Sequence, residues 1–150
     1  MYDQYKYNYS ALMTSSPAQD ERYFASDFTQ FEGYSISRIA PNIIELKFEK
    51  GFEGEIEDSK LIVKRLSAFK INDAPILLLA VYDEDNFFSK EARDYVASSV
   101  VNSVVKAEAL VIKSMALRIM GNFYLKVNKP ARPSKLFNER SVALEWLSKQ

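Results

Sequence analysis

FFSKEARDYVASSVVNSVVKAEALVIKSMALRIMGNFYLKVNKPARPSKLF, residues Phe87 to Phe137, decides the fold class. Ser89 stands ahead of a helical pattern that runs to about Ser98. Its hydroxyl is placed to accept a bond from an early backbone amide, and Glu91 suits the positive end of the helix dipole. Ala92, Tyr95 and Val96 are the expected buried positions. Ala109 to Ile112 reads as a buried strand, and Ser114 caps a second helix. In it Ala116, Ile119, Met120, Phe123 and Val127 recur at helical spacing and are expected to face the core. Gly121 interrupts this helix at a cost of about 1 kcal/mol relative to alanine, which implies a close backbone approach. Pro130 and Pro133 forbid its continuation, and Lys126, Lys129, Arg132 and Lys135 follow with no acid among them. A short strand at Lys135 to Phe137 leads to a last helix. Asn138 is its expected cap, Phe137 and Val142 its staple, and Val142, Ala143, Trp146 and Leu147 its inner stripe.

Upstream, Pro75 to Val81 reads PILLLAV, apolar at consecutive positions, as in a strand buried on both faces of a parallel sheet. It is expected at the centre. Before it, Asp58 is the expected cap of a helix to about Phe69, with Leu61, Ile62, Leu66 and Phe69 inward and Lys60, Lys64 and Lys70 in water. Period-two alternation places Tyr34, Ile36 and Ala40 on one face, a turn at Pro41 and Asn42, then Ile44, Leu46 and Phe48 alternating with Glu45, Lys47 and Glu49. The element order is β-β-α-β-α-β-α-β-α, an α/β domain with a mixed, largely parallel sheet and flanking helices.

Residues 1–34 read as an arm appended to a domain at 35–150. Tyr2, Tyr5, Tyr7 and Tyr9 are scattered among polar residues, whereas Phe24, Phe28 and Phe31 have the spacing of a short helix. Asp3, Asp20, Glu21, Asp27 and Glu32 against Lys6 and Arg22 leave a net charge of −3 there and +3 on the rest. The arm reads as a tail packed on its own domain or as an aromatic docking peptide for a partner subunit, which would make the protein a homodimer.

The chain of 150 residues, 47% hydrophobic, suffices for one core. With 20 basic and 20 acidic residues there is no net field to hold it on nucleic acid or an anionic membrane, and neither is an expected partner. Cysteine and histidine are absent, which removes disulfides, thiolate metal sites, thiol nucleophiles and histidine-based triads. The longest apolar run, Ala74 to Tyr82, is far short of the roughly 20 residues of a spanning helix. No secretory signal opens the sequence, so a cytoplasmic location is expected. Asp83, Glu84 and Asp85 follow the central strand, at the end where open α/β sheets bind ligands. With no phosphate-cradling glycine loop, they read as a solvated turn rather than a magnesium site, and no metal or cofactor is expected.

FFSKEARDYVAS, MGNFYLKVNKPARPSKLF and ALEWL resemble segments of small uncharacterised bacterial proteins of STAS-like fold. The element order resembles the STAS domain of anti-sigma-factor antagonists over Ser35 to Gln150. The resemblance implies a non-catalytic regulatory module that binds a protein partner. In antagonists an acidic residue precedes a serine that a partner kinase phosphorylates; here Ser89 falls at the acidic position and Lys90 at the serine, so the switch serine is lost. A phosphate on Ser89 itself would suit the helix N-terminus, but a cap explains that serine without one. The surface that survives is Asp83, Glu84, Asp85, Ser89, Lys90 and Glu91. The alternative is a binding domain for a small anionic or lipid-like ligand, since STAS folds look related in architecture to CRAL-TRIO lipid-transfer domains. Lys126, Lys129, Arg132 and Lys135 would take the head group. No Asp, Glu, Lys or Tyr pair has a spacing that argues for an enzyme. A pocket lined by Met115, Met120 and Phe123 would favour the ligand; burial of those side chains as plain core would remove it.

Overall fold

The structure, a computed structural model, describes residues 28–150. The strands are β1 (Phe28–Phe31), β2 (Tyr34–Ala40), β3 (Ile43–Phe48), β4 (Glu53–Gly54), β5 (Ile76–Val81), β6 (Phe87–Phe88), β7 (Val105–Val111) and β8 (Ser134–Phe137). The α-helices are α1 (Ile56–Ser67), α2 (Lys90–Ala97), α3 (Met115–Phe123) and α4 (Arg140–Leu147). A 3-10 turn, Ser99–Ser103, follows α2, and a π-helical turn, Tyr124–Asn128, extends α3.

The main sheet runs β1-β2-β3-β5-β7-β8. β1, β2 and β3 are antiparallel, whereas β3, β5, β7 and β8 are parallel. PILLLAV is therefore interior, as its unbroken apolar run requires, and Ile76 to Ala80 are all buried. The mixed, largely parallel α/β architecture read from the sequence is the architecture found. α1, α2 and α3 cover one sheet face with Ile62, Leu66, Ala97 and Leu117 inward. α4 covers the other, setting Ala143, Leu144 and Leu147 against Leu77, Leu79, Ala107 and Ala109. β4 and β6 form a separate parallel pair.

Several local expectations are corrected. Phe28 and Phe31 belong to an edge strand rather than a helix, since β1 turns back through Gly33, at φ 85°, to pair with β2. The sheet therefore begins ahead of residue 35, while Tyr2, Tyr5, Tyr7, Tyr9 and Phe24 of the arm lie outside the described residues. Arg65 of α1 ties this edge down, its guanidinium 3.8 Å from the Phe31 ring centroid and hydrogen-bonded to the Tyr34 hydroxyl. A register shift between Arg38 and Ala40 turns Ala40 to the α4 face, away from Tyr34 and Ile36. Asp58 does not cap α1; it sits in the first turn and accepts a bond from the backbone N–H of Glu55, the actual cap, at 2.8 Å. Glu139 replaces Asn138 ahead of α4, so Val142 is left 48% exposed and Phe137 packs on Trp146 instead.

The inward face of α3 is also not the one expected. Leu117, Gly121 and Tyr124 are buried, while Ile119, Phe123 and Val127 face out. Gly121 decides this. A Cβ there would lie 2.9 Å from Ile112 Cδ1 and 3.2 Å from Leu136 Cδ1, so the glycine lets the helix approach the β7–β8 edge.

Candidate functional site

The loop after β5 is a built turn. Asn86, buried, accepts from the Asp83 N–H at 2.8 Å and donates to the Glu49 carbonyl at 2.7 Å; Asp83 Oδ1 accepts from the Glu84 N–H at 2.7 Å. Glu84 pairs with Lys50 at 3.3 Å, and that hydrogen bond raises the Lys50 pKa. No group of three carboxylates among the described residues could hold a metal ion. Ser89 is buried and accepts from the Ala92 N–H at 3.2 Å, the expected cap. Lys90 is ion-paired with Asp94 at 2.6 Å, and Glu91 is exposed on the same first turn. The start of α3, capped by Ser114, lies beside this loop. Together they enclose a shallow cavity of about 300 Å³ between Glu84, Asp85 and Asn86 on one side and Ser114, Ala116 and Met120 on the other.

The basic loop does not converge. Arg132 turns inward and is buried. Its Nε donates to Asn102 Oδ1 at 3.0 Å, and Nη2 donates to the carbonyls of Val96 and Ser98 at 2.6 and 2.9 Å. Nη1 stands 3.3 Å from Glu108 Oε1 at an angle that makes an ion pair rather than a hydrogen bond. Lys135 lies on the α4 side of the sheet, 5.5 Å from the Phe137 ring centroid, while Lys126 and Lys129 are exposed at the far end of α3.

Glu108 was missed in the sequence, although an acid between Ala107 and Ala109 in an otherwise apolar strand is a visible signal. Its Oε1 accepts from the Tyr124 hydroxyl at 2.7 Å and from Ser134 Oγ at 2.8 Å. The carboxyl group borders a cavity of about 100 Å³ between the sheet and α1, α2 and α3. The walls are apolar for the most part, among them Leu46, Phe48, Ile62, Leu110 and Met120; Ser59, Tyr82, Arg93 and Tyr124 are the other polar residues on it. Met115 and Phe123, expected with Met120, do not line it.

Burial first, and then the charge of Glu108, raise the pKa values of both Tyr82 and Tyr124 well above the ordinary 10. As pH rises past about 10 the unfolded phenols lose protons while the folded ones keep them. The folded state then binds more protons, and stability falls with pH by about 1.4 kcal/mol per unit for each phenol. An alkaline titration read by phenolate absorbance should show Tyr82 and Tyr124 ionising only as the chain unfolds. Tyr82→Phe and Tyr124→Phe should each remove one phenol from that steep phase; ionisation of both before unfolding would contradict the desolvation and the influence of Glu108.

On the outer side of α3, Met115, Ile119, Phe123 and Val127 are 76%, 68%, 47% and 56% exposed. They recur every four residues along α3 and its π turn, an apolar ridge largely open to solvent among the described residues. Arg93 of α2 lies over Phe123, 5.1 Å from its ring centroid, and also borders the inner cavity. The acidic Glu84 and Asp85 lie at the Met115 end of the ridge, and Lys126 and Lys129 at the Val127 end. Among the described residues no helix is long and apolar enough to cross a membrane.

Residues 37–150 match a family model described as a domain of unknown function, DUF7793. Comparison with the curated proteins finds no match. Among solved structures the chain is similar to an uncharacterised protein of the DUF3478 family from Shewanella loihica PV-4, described as having a SpoIIAA-like fold. The identity is 17%, with 80% of this chain and 90% of that one covered and a TM-score of 0.45.

Proposed function

The chain belongs to the DUF7793 family, and we propose that it is a non-catalytic regulatory module that docks a protein partner on the outer face of α3 and the adjoining loop after β5. One observation carries the reading: a helix that already buries Leu117, Gly121 and Tyr124 presents Met115, Ile119, Phe123 and Val127 on its other side. Solvent-facing apolar groups in such a row mark interaction sites, and covering what remains exposed of each is worth about 1–2 kcal/mol before the costs of association. The charges at its ends define the partner: an apolar helix or strand with basic groups beside Met115 and acidic groups beside Val127. Lys90, at the position of the lost switch serine, cannot be phosphorylated as serine is, so regulation would come through occupancy of this face. The anionic-ligand alternative loses its main support, because Arg132 is committed to Glu108 and to backbone carbonyls while Lys135 lies on the opposite side of the sheet.

A photo-crosslinking amino acid at Val127, introduced in the cell that makes the protein, tests this. A discrete protein adduct is expected, reduced at least about tenfold by Ile119→Glu, a substitution at an exposed position that should leave the circular dichroism and melting temperature unchanged. No adduct, an adduct indifferent to Ile119→Glu, or an adduct only with a second copy of the chain would sink the partner reading.

A further inference from the structure

We propose that the inner cavity is a binding site for a small neutral alcohol with a compact apolar body, held by Glu108 and Tyr82. Four observations meet there. First, the space of about 100 Å³ has walls of Leu46, Phe48, Ile62, Leu110 and Met120. An engineered apolar cavity of roughly 150 Å³ accepts benzene, so this one suits a slightly smaller body. Second, Glu108 borders the cavity with one oxygen already engaged: Oε1 receives Tyr124, Ser134 and the Arg132 ion pair, while Oε2 accepts no hydrogen bond from the described residues. A carboxylate offers about four acceptor sites, so a free acceptor remains.

Third, the Tyr82 hydroxyl, on the same cavity, makes no hydrogen bond with the described residues. Glu108 is close enough for its charge to act on the Tyr82 phenol. A ligand hydroxyl can donate to Glu108 and accept from Tyr82, satisfying both with one group. Fourth, Arg132 already neutralises Glu108 from the other side. An ammonium ligand would bring an uncompensated buried charge, and a carboxylate or phosphate would meet Glu108 as a like charge, while Arg93, the cation on the cavity wall, is already engaged by the Phe123 ring and the Ser89 carbonyl. Those two classes are excluded, and a neutral hydroxyl is left.

The test titrates the full chain with isobutanol, following side-chain methyl resonances by NMR, with isobutylammonium and isobutyrate as charged congeners. Saturable shifts are expected at Leu46, Ile62 and Leu110 with isobutanol, and binding at least about tenfold weaker for either congener. Tyr82→Phe, which keeps the ring and removes only the hydroxyl, should weaken isobutanol binding about fivefold or more. Ala92→Leu should abolish the shifts by filling the space, since Ala92 is fully buried on the cavity wall. Should Ala92→Leu fail to fold, the Tyr82→Phe comparison decides. The proposal is overturned by the absence of saturable shifts, by shifts confined to the outer ridge at Ile119 and Val127, by equal binding of the ammonium congener, or by indifference to Tyr82→Phe.

Discussion

Replacing Arg132 by methionine is expected to remove about 3–5 kcal/mol of folding free energy. The guanidinium is almost wholly out of water, with 2% of the side chain exposed, and it holds together parts of the chain far apart in sequence. It reaches the carbonyls of Val96 and Ser98 after α2, Asn102 in the 3-10 turn, and Glu108 in β7. Methionine has a comparable length and no charge. It leaves a buried carboxylate without its counter-ion and two carbonyls without their donor, and desolvation makes each of these costly. Urea denaturation of the two chains measures the loss. Arg132→Lys should not restore stability, because one ammonium cannot reproduce the fork that reaches two carbonyls and an amide oxygen. The double substitution Arg132→Met with Glu108→Gln should recover part of the deficit, since the uncompensated charge is gone. A loss below about 1 kcal/mol, or a double variant no better than the sum of the singles, would show that the pair does not act as described.

Phe48→Ala should cost about 3–5 kcal/mol by a different route, the loss of packed ring and the void left behind. Phe48 is the hub of an aromatic cluster. Its ring centroid lies 5.2 Å from Tyr82 in a stacked arrangement, 5.1 Å from Phe52, 5.1 Å from Phe88 nearly edge-on, and 6.1 Å from Tyr34. The cluster joins β2 and β3 to the loop before α1 and to the β4–β6 pair, so its removal loosens contacts that no backbone ladder replaces. Phe48→Leu should cost less, because an aliphatic side chain keeps much of the buried area. A double-mutant cycle between Phe48 and Tyr82 should return a coupling of about 0.5–1.5 kcal/mol. Zero coupling in that cycle would mean the two rings are neighbours without a mutual preference.

The two costs arise from features of very different visibility. Phe48 could be read directly, because it alternates with Lys47 and Glu49 and alternation in a strand separates inside from outside. Arg132 could not. In a loop with Lys126, Lys129 and Lys135 it looks like a fourth solvated cation, and only the fold shows that the chain returns beside Val96 and Ser98 at that point. The outer ridge of α3 has a related history. Apolar residues occupy two faces of that helix, one through 116, 119, 123 and 127 and the other through 117, 121 and 124, and periodicity does not rank them. The better guide was Gly121, whose missing side chain marks the face that must come close.

What the amino-acid order determined by itself was local: the interior strand from its unbroken apolar run, the caps at Ser89 and Ser114 from their hydroxyls ahead of helical patterns, and the α/β alternation. Each depends on residues within a few positions of one another, where backbone geometry sets the outcome. The tertiary structure alone decided that β1 closes the sheet's edge, that Arg132 meets Glu108, and that Tyr82 and Glu108 border one cavity. It also decided that α3 keeps an apolar face that the described residues leave exposed. These depend on which distant segments become neighbours, and desolvation and packing across the sheet select those pairings without leaving a periodic trace in the chain.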